Sequence, residues 1–151
     1  SLSQDDPFFR GRLIGFLGHL GDARAIPVLR RWSEEKNERV AVLAVLARVR
    51  LRDNVAYAAG LELLQHRSEA VRLDALDALA PVLVEAGAVD RIVRLLQSDD
   101  YRLRQRAVNV LGAVEPLPEA ARAVLESMLQ HSSDGFLRGD VLRALHRSQP
   151  N

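Results

Sequence analysis

Ser68-Glu69-Ala70-Val71-Arg72-Leu73-Asp74-Ala75-Leu76-Asp77-Ala78-Leu79 carries the pattern from which the architecture of this chain follows. Counted from Arg72, apolar residues fall at +3, +4 and +7, as Ala75, Leu76 and Leu79. That spacing lays them along one face of an α-helix. Ser68 stands just before the pattern, where a hydroxyl can accept a hydrogen bond from the first unpaired backbone N–H groups. The stretch therefore predicts an amphipathic helix with Arg72 in its first turn.

The same register returns along the whole chain. Arg10, Arg39, Arg72, Arg104 and Arg138 are separated by 29, 33, 32 and 34 residues. Seven residues after each comes a Leu: Leu17, Leu46, Leu79, Leu111 and Leu145. Four residues before them stand Asp6, Glu35, Ser68, Asp100 and Asp134, of which Glu35 is the weakest capping type. A second series runs between these helices. Leu64-Gln65, Leu96-Gln97 and Leu129-Gln130 close the amphipathic segments 55–66, 88–98 and 119–131, and 26–32 takes the same place earlier. Gly21-Asp22, Arg52-Asp53-Asn54, Ala86-Gly87 and Glu115-Pro116-Leu117-Pro118 supply the turns. The map is a lone helix near 7–19, then helical hairpins over 24–50, 54–85, 88–113 and 119–147. Pro81 falls inside the helix that begins near Glu69 and is expected to kink it. Neither a linker nor a low-complexity tract interrupts residues 1–151, which read as a single repeat domain with a frayed tail at 148–151. Two short helices cannot bury their apolar stripes alone, so such units stack.

Composition agrees. Apolar residues make up 48% of the 151, charged residues 27% and aromatics 5%, so Leu, Ala and Val must fill the core. Thr is absent, and residues that lose little side-chain freedom in a helix dominate. With 21 basic and 20 acidic residues the net charge is +1, too small for a global field toward nucleic acid or an anionic membrane. Lys36 is the only Lys among the basic residues; forked hydrogen bonding by Arg and an Arg-favouring codon usage both account for that. Without Cys there is no disulfide and no thiolate metal site. No apolar run approaches the roughly 20 residues that cross a membrane. The N-terminus lacks a charged-then-apolar signal pattern. A cytoplasmic setting is the expectation, although a chain opening on Ser1 also reads as a piece of a longer array, which leaves localisation open.

Two stretches resemble the HEAT-repeat family, in particular its bacterial form named for phycobilisome lyases. Residues 17–29, Leu-Gly-His-Leu-Gly-Asp-Ala-Arg-Ala-Ile-Pro-Val-Leu, are similar to that form's leucine–glycine, glycine–aspartate, alanine–isoleucine–proline segment. Residues 70–79 resemble its valine–arginine–x–x–alanine helix. Glu38 and Leu137 depart from the usual Val position. The resemblance implies an all-α fold, a right-handed α-α superhelix (solenoid) of about four and a half hairpins. It implies a ladder between neighbouring repeats, with Arg10, Arg39, Arg72, Arg104 and Arg138 facing Asp6, Asp100, Asp134 and, less regularly, Glu35. It also implies that the second helix of each hairpin lines a concave face. Arg12, His19, Arg48, Asp74, Asp77, Gln105, Arg106, Asn109, Asp140 and Arg143 would then face a partner, acidic in the middle and basic at the flanks.

Residues that could carry chemistry are sparse. His19, His66, His131 and His146 are too far apart for His pairs at metal-ligand spacing. His66 and His131 follow Gln at the ends of equivalent helices, where a His is favoured beside the free carbonyls. No Gly-x-Ser-x-Gly elbow is present, and Ser33, Ser98, Ser132 and Ser133 fall in turns. Gly11, Gly15 and Gly18 have helical spacing, which suits close packing and not a phosphate loop. No catalytic residue, metal or cofactor is expected. The reading that follows is a non-catalytic scaffold or adaptor for a protein or peptide. The alternatives are a nucleic-acid-binding repeat protein, which Asp74, Asp77 and Asp140 disfavour, and a subunit of a bilin-lyase-type enzyme, which only the repeat type suggests. Finally, Phe8, Phe9, Leu13, Ile14, Phe16, Leu17 and Leu20 are too many apolar residues for one buried stripe. The first helix is therefore expected to meet a second copy of the chain or further repeats.

Overall fold

The computed structural model describes residues 6–147, and every regular element among them is helical. In chain order these are α1 (Pro7–Leu20), α2 (Ile26–Trp32), α3 (Glu38–Arg50), α4 (Tyr57–Glu62), α5 (Glu69–Leu79), α6 (Val89–Leu95), α7 (Tyr101–Leu111), α8 (Glu119–His131) and α9 (Gly135–Arg147). Single 3₁₀ turns lead into α2 and α4 and follow α4 and α5. The lone first helix and the four hairpins α2–α3, α4–α5, α6–α7 and α8–α9 match the periodicity of the sequence. The expected frayed tail, 148–151, lies outside the described residues.

The helix ends follow from local chemistry. Asp6 accepts from the N–H of Phe8, Asp100 from those of Arg102 and Leu103, and Asp134 from those of Phe136 and Leu137. Ser68 stands at the N-cap of α5 without such a bond. The first hairpin departs from the pattern: Asn37, not Glu35, caps α3 by accepting from Val40 N–H at 3.2 Å. Gly21 closes α1 with φ of 74°, a left-handed conformation that costs a residue with Cβ about 1 kcal/mol or more. Pro81 does not kink a continuous helix. α5 stops at Leu79, and Ala80–Val82 forms a 3₁₀ turn. The ring removes an N–H and crowds the carbonyl four residues back, so the α-ladder ends instead of bending. The segment expected as one helix over 55–66 is likewise split, with α-geometry confined to Tyr57–Glu62.

The chain divides after Val82 into two compact units. Composition marks no boundary at that point. In the first unit, α1 and α2 pack on α3, and α3 and α4 pack on α5. Ile14, Leu29, Val40, Ala44 and Ala47 form a cluster at its N-terminal side, joined by partly buried Leu17, Leu43 and Trp32. In the second unit, α6 packs on α7 and α8, and α9 packs on α7 and α8. Ile92, Val108, Leu111, Leu125 and Val141 are fully buried there.

Candidate partner-binding face

In the second unit the second helices of the two hairpins present facing stripes. Gln105, Asn109 and Gly112 recur at i, i+4 and i+7 along α7 and its C-cap; Asp140, Arg143, Ala144 and Arg147 recur at i, i+3, i+4 and i+7 on α9. Each set shares one side of its helix. Gly112 lets the stripes approach: a Cβ added there would stand 2.5 Å from the Ala144 Cβ and 2.8 Å from its Cα. At that separation the Gln105 side-chain amide donates to Asp140 Oδ2 at 2.9 Å, and Arg143 donates to Asp140 Oδ1. The Asp140 side chain is only 7% exposed, whereas that of Arg143 is 68% exposed. A buried carboxylate is therefore satisfied from both sides while the cation reaches solvent. Asn109, Gly112, Asp140, Arg143, Ala144 and Arg147 enclose a recess of about 40 Å³. Its rim offers the Asn109 amide and two guanidinium groups. The recess suits one small polar group, such as a backbone carbonyl or a side-chain end, and holds no nucleophile–base pair.

In the first unit, Arg12, His19, Asp74 and Asp77 are exposed. Arg48 is not. It is buried, its Nε donating to Asp53 Oδ2 at 2.8 Å and its Nη1 to Ser33 Oγ at 2.9 Å. Arg30 adds a second cation 3.8 Å from the same carboxylate oxygen. The cause is the αL turn at Arg52, which folds Asp53 back under α3. In the second unit Arg106 and Asn109 are exposed, Gln105 is half-buried and Asp140 is buried.

The aligned arginines do several different things. Arg10 donates to Glu35 at 2.9 Å, joining α1 to the turn before α3. Arg72 donates to the carbonyl of His66 at 2.8 Å, Arg104 to that of Ser98, and Arg138 to those of Leu129 and Ser132. The last three thus fasten the start of a second helix to the end of the first helix of its own hairpin, where carbonyls lack helical partners. Arg39 is exposed, because α3 starts after Asn37 and the register slips. Asp6, Asp100 and Asp134 act as the N-caps described above.

His131 and His19 meet the carbonyls of Ser127 and Gly15 through Nδ1 at 2.9 and 2.7 Å. His66 differs, since the backbone turns extended there. Its Nδ1 accepts from Ser68 N–H and its Nε2–H faces Glu38, which also pairs with Arg67. Protonation is displaced at Asp22 and Arg24. The Arg24 side chain and its backbone N–H hold the Asp22 carboxyl below its usual range, and Asp22 raises Arg24 in return. Among the described residues no three His, Asp or Glu side chains gather into a metal-binding group, and no helix is long and apolar enough to cross a membrane.

Sequence reasoning placed Gln105, Asn109, Asp140 and Arg143 together but missed Gly112, Ala144 and Arg147. Their signal was present as small and basic residues continuing the same helical stripes. It also missed Asp53 as a buried counter-ion, since a turn Asp ordinarily reads as a cap.

Solved structures carry the same fold. A designed armadillo repeat protein in complex with the peptide (KR)4 superposes with a TM-score of 0.64 at 24% identity, covering 84% of this chain and 65% of that one. The present chain thus spans less than two thirds of that protein's length. An engineered protein aligns over 97% of this chain and 76% of its own, with a TM-score of 0.67 and 21% identity. The CpcE–CpcF complex of phycocyanin lyase from Nostoc sp. PCC7120 gives a TM-score of 0.67 at 18% identity, over 94% and 92% of the two chains. No curated protein sequence matches significantly. A family model for HEAT repeats matches residues 58–146, more than half of the 151. With that match and an all-helical repeat fold, the chain belongs to the HEAT-repeat family.

Proposed function

We propose that this chain is a non-catalytic adaptor that holds a protein or peptide partner on the exposed faces of its second helices. The observation that carries the reading is the pair of facing stripes on α7 and α9. They hold a satisfied buried carboxylate beneath exposed donors from Asn109, Arg143 and Arg147. A partner's backbone carbonyls and acidic side chains are the complementary groups. In the first unit Asp74 and Asp77 on α5 offer the opposite sign for basic side chains. The armadillo-type neighbour, which was solved with a basic peptide, supports the general mode. The apolar face of α1 is a separate contact surface, for a second copy of the chain or for further repeats.

Peptides selected from a random phage library on the full chain test the groove. Binding should fall at least about tenfold in Asn109→Arg and in Arg106→Glu. Arg94→Glu, on the first helix of the third hairpin, should leave it unchanged. Equal losses for all three, or binding indifferent to the first two, would reject the assignment.

A further inference from the structure

Asp140 is the only acidic residue in α7 and α9, and it is buried. Six residues after the N-cap, Arg12, Asp74 and Arg106 are exposed on their own helices. Asp140 holds that place on α9, but the close seat of Gly112 on Ala144 brings Gln105 over it. Gln105 engages one of its oxygens and Arg143 the other, so the carboxylate turns no free face to a ligand. In return it pins the Arg143 guanidinium through Nη2 and leaves the other N–H groups of the planar fork available. The exposure of the donors belongs to the repeat itself. Arg143 and Arg147 stand nine and thirteen residues after their N-cap, Asp134. The same positions on α7, counted from Asp100, are Asn109 and Ala113. Both stay exposed although α9 packs against α7. A further helix seated beside α9 in the same way would therefore leave Arg143 and Arg147 open.

Charge and size then select the ligand. The recess is lined by two guanidinium groups and one carboxylate, a net charge of +1. Its volume of about 40 Å³ has room for about three water-sized groups, the size of one carboxyl group. A neutral carbonyl would leave the net cation unanswered. A tetrahedral phosphate dianion is larger and would meet one net positive charge above a fixed carboxylate. We propose that the recess between α7 and α9 is a carboxylate-binding site. It takes the Asp or Glu side chain, or the C-terminal carboxylate, of a partner peptide, with Arg143 and Arg147 as charged donors and the Asn109 amide as the neutral one. The proposal rests on the adaptor reading for the peptide that carries the carboxylate, not for the chemistry of the recess.

NMR titration of the isotope-labelled full chain provides the test, read at the backbone amides of Asn109, Gly112 and Arg143 and at the arginine Nε–H signals. The probes are N-acetyl-glutamate α-amide, its glutamine counterpart, N-acetyl-glycine and inorganic phosphate. A carboxylate probe should saturate the recess with a Kd of about 1–10 mM, at least about tenfold tighter than the glutamine counterpart or phosphate. The tighter of the glutamate and glycine probes tells a side-chain source from a chain end. Asn109→Ala, Arg147→Gln and Arg143→Lys should each weaken it about threefold or more. Arg143→Lys keeps a cation over Asp140 and loses only the fork. Arg94→Gln should change nothing, and circular dichroism checks that each variant keeps its helices. No saturable shift, equal binding of the glutamine probe, tighter binding of phosphate, or indifference to the three variants would overturn the proposal. Library-selected peptides separate it from the adaptor reading. If they bind the groove and keep their affinity when every carboxylate is converted to an amide, the carboxylate site is wrong and the adaptor reading stands. If no peptide is selected while the carboxylate probes still saturate the recess, the site stands and the adaptor reading fails.

Discussion

The Arg48 guanidinium lies inside the first unit because Asp53 and Ser33 take its N–H groups. A charge so placed is neutral in net stability only while its partner stays. Arg48→Ala should therefore cost about 3 kcal/mol, reduced somewhat by Arg30, which can move closer to Asp53. Replacing both Arg48 and Asp53 by Leu should cost far less than either single change, and urea melts of the four proteins would show it. The repeat arginines separate by the same logic. Arg72→Ala and Arg104→Ala each release a charged donor from a helix-end carbonyl and should cost about 1–3 kcal/mol. Arg39→Ala, at an exposed position, should stay within about 0.5 kcal/mol. Equal shifts at all three would mean that the carbonyl ties contribute nothing.

Among the elements, the glycines of the second helices show how packing decides the sign of a substitution. Gly112 touches Ala144 so closely that Gly112→Ala must push α9 away from α7. A loss of about 1–3 kcal/mol is expected from overpacking, and the Gln105–Asp140 bond should lengthen with it. Gly15 sits mid-helix with nothing within 4 Å of an added Cβ. Gly15→Ala should instead stabilise by about 0.5–1 kcal/mol through the helix backbone. Thermal melts of the pair, run side by side, would expose a wrong assignment of either contact. The termini of α5 and α3 show a complementary point. Pro81 and Asn37 set where these helices stop and start, and the periodicity of the apolar stripe runs past both.

For the whole molecule, each unit has its own core, and charge is balanced across the chain at +1. Backbone binding to nucleic acid needs several cations on one surface. On α7 and α9 the cations alternate with Asn109 and a buried Asp140, and α5 presents Asp74 and Asp77. No salt-dependent binding to duplex DNA is expected at micromolar protein. Anisotropy with a labelled duplex would contradict this if affinity appeared and fell steeply between about 50 and 200 mM salt.

Residue order alone was enough for the helical class and the repeating hairpin. Those follow from the 3.6-residue period, from caps such as Asp6 and Asp100, and from breakers such as Gly21, all of which act within a few residues. Gln105, Asn109, Asp140 and Arg143 were legible in register for the same reason, because a shared face is a local property. Which polar residues meet was settled only when the helices packed. Arg48 reads as exposed until the chain turns at Arg52 and brings Asp53 beneath it. Gln105 finds Asp140 across 35 residues. Such pairings depend on how closely two helices approach, and that distance is set by residues like Gly112 and Ala144. Their size is written in the sequence, but their contact is not.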